Sequence, residues 1–120
     1  MTLNEYQEMA MTTCMESSNN DIYAINGLAA EVGEIQDKIA KWIRKEYIVI
    51  KDNQVHFKQK SVTAGDLPEE LAKEVGDVLW FVALLANRLG YSMETIASMN
   101  INKLQSRQQR GVIDGNGDNR

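Results

Sequence analysis

The sequence predicts an all-α protein: a four-helix bundle-like fold with a short β-hairpin or loop between its second and third helices. Three observations carry that reading. Apolar residues recur at three- and four-residue spacing along four separate stretches. Residues that cap helices stand at the starts of those stretches. The one break in the period, Tyr47 to Phe57, is short and rich in β-branched residues.

Thr2 with Glu5 three residues later forms a capping-box pattern, and Leu3, Tyr6, Met9, Ala10, Cys14 and Met15 continue it, which predicts a helix over residues 3–16. The polar run Ser17-Ser18-Asn19-Asn20 reads as a loop. Asp21 then caps a longer helix that carries Ile22, Ile25, Leu28, Ala29, Val32, Ile35, Ile39 and Trp42 on one broad stripe and ends near Arg44 or Lys45. From Tyr47 the period shortens: Tyr47-Ile48-Val49-Ile50 and Gln54-Val55-His56-Phe57 flank the turn signal Asp52-Asn53. Asp66 with Glu69 repeats the capping pattern, Pro68 is tolerated in a first turn, and a third helix runs to about Leu89. Gly90 suits its C-terminal cap and Ser92 the next N-cap. Met93, Ile96, Ala97, Ile101 and Leu104 then face a fourth helix that ends near Gly111. Residues 1–110 make one helical domain, and the polar stretch 111–120, with glycines at 111, 115 and 117, is expected to be a flexible C-terminal tail.

With 120 residues the chain supports one core and has no room for a separate cofactor-binding half. Its 17 acidic and 13 basic side chains leave a net charge of -4, which disfavours stable nucleic-acid binding, since phosphate backbones need concentrated Lys and Arg. The single cysteine, Cys14, excludes an intrachain disulfide and a Cys-clustered zinc site, and a reducing, cytoplasmic setting is expected. The N-terminus lacks the basic and apolar regions of a leader, and the apolar run Phe81–Ala86 is far short of the roughly 20 residues that span a bilayer, so no membrane partner is expected. Long helices in so short a chain are expected to complete their packing against further copies, as a homodimer or homotetramer.

The sequence contains an internal echo. Glu31-Val32-Gly33-Glu34-Ile35 in the second helix and Glu74-Val75-Gly76-Asp77-Val78 in the third share the form Glu-Val-Gly-acid-aliphatic. Residues three apart are neighbours on a helix surface, so each segment presents two carboxylates side by side, and two such pairs on facing helices make a four-carboxylate cluster. Gly33 and Gly76 each cost about 1 kcal/mol relative to Ala in a helix interior, which predicts close helix approach there. Converging acids repel, so either the helices splay apart or a cation lies between them, and oxygen-only donors suit Mg²⁺, Mn²⁺ or Ca²⁺. The sole histidine, His56, lies in the β insertion, away from both motifs, which argues against a Glu-x-x-His di-iron bundle. Acid pairs at this spacing are commonly a solvated helix face, but the duplication, bordered by apolar stretches, weighs toward a metal site.

The stretches Gly27-Leu28-Ala29-Ala30-Glu31-Val32-Gly33-Glu34, Glu70-Leu71-Ala72-Lys73-Glu74-Val75-Gly76-Asp77-Val78-Leu79-Trp80 and Asn100-Ile101-Asn102-Lys103-Leu104 together resemble the MazG-like nucleotide pyrophosphohydrolases of the all-α NTP pyrophosphatase superfamily, in its short single-domain phage and bacterial form. The likeness runs from Tyr6 to about Arg110. It departs at Ala30, where the family often carries a first Glu, and that difference reads as one of substrate subgroup. The resemblance implies cleavage of a (d)NTP between its α and β phosphates to a (d)NMP and pyrophosphate. It also implies Mg²⁺, with Mn²⁺ as the alternative, held by Glu31, Glu34, Glu74 and Asp77 as catalytic ligands; Glu34 is the choice for proton acceptor. Asn100 and Lys103 match a fourth-helix pattern that approaches the nucleotide.

Lys38 and Lys41 share the general face of Glu34 and could reach phosphate, although Lys38 could instead pair with Glu34 at i, i+4. Arg107 and Arg110 extend a basic stripe from Lys103, or else serve as the cationic last turn of any helix. Trp42, Trp80 and Phe81, like Tyr6 and Tyr23, read more readily as core than as base-stacking groups. Two other readings compete: a non-enzymatic helical interaction module with an acidic or structural-cation face, and a pyrophosphohydrolase acting on phosphoribosyl-ATP, for which the basic residues are too few.

Overall fold

The computed structural model of the chain describes residues 1–58 and 66–120. Among the described residues there are four α-helices, α1 (Leu3–Thr12), α2 (Asp21–Arg44), α3 (Asp66–Leu89) and α4 (Met93–Gln109). A 3₁₀ turn spans Glu16–Ser18, and two antiparallel strands, β1 (Ile48–Lys51) and β2 (Gln54–Phe57), separate α2 from α3. The all-α class with a small β insertion is thus observed.

Local chemistry accounts for most of the boundaries. Thr2 Oγ1 accepts from the Glu5 N–H at 3.1 Å and the Glu5 carboxylate accepts from the Thr2 N–H at 2.6 Å, which closes the capping box. The first helix is shorter than its apolar period predicts and stops at Thr12. There the Thr12 and Thr13 hydroxyls donate back to the Met9 and Ala10 carbonyls, and the backbone turns out of the helix. The cap of α2 is Asn20 rather than Asp21: Asn20 Oδ1 accepts from the Tyr23 N–H at 2.8 Å. Gly90, at φ 75°, takes the left-handed position after α3, and the Tyr91 N–H bonds back to the Ala86 carbonyl. In the hairpin Asp52 and Asn53 both have positive φ, as a two-residue turn between twisted strands requires, with Lys51 opposite Gln54 and Ile48 opposite Phe57.

The α2 and α3 helices lie antiparallel. Asp21 at the start of α2 pairs with Arg88 near the end of α3 at 2.7 Å, while Lys38 late in α2 reaches Glu70 early in α3. The hairpin closes over the end of α2, where the Trp42 ring meets Tyr47 and Phe57 edge-on, at 5.9 and 6.0 Å, and Ile48 is fully buried. The buried core is gathered at the other end of the pair: Ala24 on α2, Ala10 on α1, Met93 on α4, and Phe81, Ala83, Leu84 and Ala86 on α3. Cys14 is half-buried beside this core as a free thiol.

Close packing between the helices occurs at Gly27, where an added Cβ would sit 2.0 Å from the Phe81 ring. The close approach expected at Gly33 and Gly76 is not there: a Cβ at either position would meet nothing within 4 Å. The small residue that lets the helices approach is the one opposite the largest buried ring of α3, and the echoed glycines lie beyond it.

The short α1 anchors α4 through amides. Buried Gln7 donates to the Tyr91 carbonyl at 3.0 Å and accepts from the Met93 N–H at 2.9 Å, and Asn4 accepts from the Glu94 N–H. These bonds satisfy donors that a helix N-terminus leaves free. No helix among the described residues is long and apolar enough to cross a membrane.

Candidate active site

The antiparallel α2–α3 pair brings Glu31 of α2 against Glu74 and Asp77 of α3. One carboxylate oxygen from each lies within 4.8 Å of the others, with Glu31 and Glu74 half-buried and Asp77 exposed. Glu74 and Asp77 share a face because they are one helical turn apart. Burial chiefly, and then the charges of Asp77, Glu74 and Glu34, push the Glu31 carboxyl above its ordinary value. Tyr6 on α1 borders the group: burial raises its phenol and the Asp77 charge raises it further.

Glu34 is exposed and stands outside this three-carboxylate group, although its charge is felt at Glu31. The expected quartet is therefore a trio with a fourth acid one turn away.

Lys38 is where the sequence places it but has different partners. Its ammonium lies 3.0 Å from Glu70 Oε2 and 3.3 Å from Glu74 Oε1, so it crosses to α3 instead of pairing with Glu34 along its own helix. Glu70 in turn meets Lys73 at 3.0 Å through its other oxygen. These contacts hold the Glu70 carboxyl below its ordinary value, through Lys73 first and Lys38 second, and raise the Lys38 ammonium through its bonds to Glu70 and Glu74. Sequence reasoning missed Glu70, although its place four residues before Glu74 on the same helix face was the available signal. Lys41 pairs with Asp37 one turn back and does not reach the carboxylates' ion-pair network.

The α4 residues lie elsewhere in the chain. Asn100 and Lys103 line a cleft of about 430 Å³ with Leu89, Tyr91, Ile96 and Met99. Leu89 is roughly 18 Å of helix beyond Asp77. Lys103 pairs with Asp118 at 3.3 Å, and Arg107, only 4% exposed, binds the same carboxylate at 3.0 Å together with the Gly117 and Asp118 carbonyls. Residues 111–120 thus fold back on the end of α4, where Arg120 also donates to the Val112 carbonyl. The aromatic groups take packing positions: Phe81 is buried, tilted against Tyr23 at 5.3 Å, and Trp80 donates its indole N–H to Thr13 Oγ1. His56 is exposed on β2.

The donor set suits a hard divalent cation. Adjacent oxygens around one Mg²⁺ lie about 3 Å apart, so three carboxylate oxygens within 4.8 Å of one another have to close by up to about 2 Å to share it, a movement within reach of side-chain rotation.

A family model described as the MazG nucleotide pyrophosphohydrolase domain matches residues 21–112, which takes in α2, the hairpin, α3, α4 and the carboxylate group with its lysines. The chain is also 41% identical over 99 residues to the Gene 37 protein of Mycobacterium phage L5, an alignment covering 82% of this chain and 75% of the phage protein. No solved structure matches. With Glu31, Glu74 and Asp77 brought together inside the matched region, the chain belongs to the MazG nucleotide pyrophosphohydrolase family and is a hydrolase acting on nucleotide pyrophosphate bonds.

Proposed function

We propose that the protein hydrolyses a nucleoside or deoxynucleoside triphosphate between its α and β phosphates, releasing a monophosphate and pyrophosphate, with Mg²⁺ held by Glu31, Glu74 and Asp77 and with Mn²⁺ able to replace it. The observation that carries this reading is the convergence of three carboxylates from two helices within the MazG domain. When bound, the cation supplies Lewis-acid polarisation of phosphoryl oxygens and lowers the pKa of a water. Glu34, exposed one turn from Glu31, accepts the proton of the attacking water. Lys38 binds a phosphate oxygen at the rim of the carboxylates, and Lys41 joins it on release from Asp37.

The remaining residues expected at the substrate support an oligomer. Asn100 and Lys103 lie on α4, toward the far end of α3 within their own chain, so a second copy is the route by which an α4 reaches the carboxylates, while Arg107 stays bound to Asp118 at the end of α4. The radius of gyration, 18.0 Å, exceeds the roughly 14 Å of a compact chain this long. Ile25 and Val32 on α2 and Val75 on α3 are about half exposed. Burying these side chains against a second copy makes a homodimer, and pairing two dimers a homotetramer, working in the cytoplasm.

The test is pyrophosphate release from a panel of NTPs and dNTPs, with Mg²⁺ and then with EDTA, together with sedimentation of the same preparation. Metal-dependent formation of monophosphate, abolished by Asp77→Asn, supports the reading. A folded, Mg²⁺-saturated protein that turns over no nucleotide sinks it and leaves an acidic helical interaction module.

A further inference from the structure

The carboxylate group carries a basic neighbour, and that neighbour is shared. Among the described residues, the ion pair that reaches Glu31, Glu74 or Asp77 is the one made by Lys38. Its ammonium is 3.3 Å from Glu74 Oε1 but only 3.0 Å from Glu70 Oε2. Glu70 is fixed from both sides, with Oε2 on Lys38 and Oε1 on Lys73. The charges therefore alternate along one line of side chains, Lys73, Glu70, Lys38, Glu74, and the line ends in the acids proposed to hold the cation.

That order has a chemical consequence. An ammonium with Glu74 as its only partner would compete with a divalent cation for Glu74, and binding of the cation would expel the lysine from the site. An ammonium with a second carboxylate loses one contact and keeps the other. It has three N–H donors, of which one stays on Glu70 and two become free for phosphate oxygens.

We propose that Glu70 is a positioning residue for this site: it retains Lys38 at the rim when a divalent cation takes Glu74, and so keeps the ammonium aimed at the substrate phosphates. The inference rests on the reading that Glu31, Glu74 and Asp77 hold that cation. Glu70 touches neither metal nor substrate and acts through Lys38. Lys73 holds Glu70 in its rotamer and is replaceable by any group that does so.

The experiment measures Mn²⁺ binding by calorimetry on the full chain, for the wild type, Glu70→Gln, Lys38→Met and the double variant, with thermal melts to show that each is folded. Glu70→Gln should weaken Mn²⁺ binding about three- to ten-fold, because Lys38 collapses onto Glu74, and should have no effect when Lys38 is already Met, the coupling expected of residues in contact. Glu70→Asp should restore part of the affinity. At saturating metal, Glu70→Gln should raise KM for the nucleotide while kcat stays within about two-fold. An equal loss of Mn²⁺ affinity in both backgrounds would reduce Glu70 to a distant charge and overturn the proposal, as would an unchanged affinity in Glu70→Gln. The two readings fail separately. If Glu31→Gln and Asp77→Asn abolish Mn²⁺ binding while Glu70→Gln does nothing, only the positioning role is lost. If the wild type binds no Mn²⁺, or binds it as well without Glu31 and Asp77, the metal reading fails and the positioning role falls with it.

Discussion

The α2–α3 pair is built differently toward the start of α2 and at its middle. Toward the start of α2, Gly27 lets the Phe81 ring press against its backbone, Ala24 and Leu84 are fully buried, and Asp21 is tied to Arg88. One to two turns further along α2 the same two helices present Glu31, Glu34, Glu74 and Asp77, with Val32 and Val75 about half exposed and open space above Gly33 and Gly76. The first region is held by dispersion and apolar burial, which reward the closest approach that sterics allow. The middle carries like charges that oppose approach, and open space remains above its glycines. One helix pair thus joins a rigid support to a polar site, which fixes the spacing of the carboxylates without filling the space between them.

The largest effect that separates the two regions is catalytic. Glu31→Gln or Asp77→Asn should lower Mg²⁺-dependent pyrophosphate release by at least about 10³-fold, the scale of several kcal/mol of metal-derived stabilisation. The circular-dichroism spectrum should be unchanged, because neither side chain belongs to the buried core. Phe81→Ala, in the closed region, should instead unfold more easily by about 3–5 kcal/mol in urea. A catalytic defect from the core variant without loss of stability would erase the division between the two regions.

The glycines sharpen it further. Gly27→Ala should cost about 1–3 kcal/mol at any protein concentration, because the Phe81 ring has to move. Gly33→Ala and Gly76→Ala should each add about 1 kcal/mol of helix stability where the chain is monomeric and lose that gain where the oligomer forms. Equilibrium unfolding across a range of protein concentrations reads both signs.

Acidity offers a smaller test. The raised Glu31 carboxyl binds its proton more readily in the folded than in the unfolded chain, so metal-free stability should fall as pH rises from the ordinary value near 4.5 through the folded one. Glu31→Gln should remove that fall, and saturating Mg²⁺ should reverse it. The smallest effect concerns the tail. Asp118 is held below its ordinary 3.8, by Arg107 first and Lys103 second, so its contribution is present above that value and lost as pH falls through the folded one. Asp118→Asn should speed amide exchange at residues 117–120 at neutral pH and leave exchange in α3 unchanged.

Where structure follows from neighbours in the chain, the sequence was readable. The Thr2–Glu5 capping box, the turn at Gly90, the Ser92 cap and the Asp52-Asn53 hairpin turn each rest on contacts within a few residues, and each is observed as read. The repeated acid motif put Glu31, Glu34, Glu74 and Asp77 on facing helices, and three of these four carboxylates lie together across α2 and α3. Reading went astray where the partner lay on another helix. A Gly in a helix signals close approach somewhere, but only the opposite surface decides which glycine receives the ring, and that was Gly27 instead of Gly33 or Gly76. Lys38 had a carboxylate one turn away in Glu34 and took two on α3, since an ammonium on a long stem goes where more negative charge converges.

By itself, then, the sequence determined the helices, the caps at Thr2 and Ser92, the hairpin and the two acidic motifs, because these depend on backbone geometry and on spacing that repeats every few residues. The tertiary structure alone decided that Glu34 stands apart from the carboxylate trio, that Glu70 enters the site through Lys38, and that Arg107 is buried under Asp118. Those outcomes depend on the distance and angle at which one helix crosses another and on where the chain after α4 turns back, and a one-dimensional spacing contains neither.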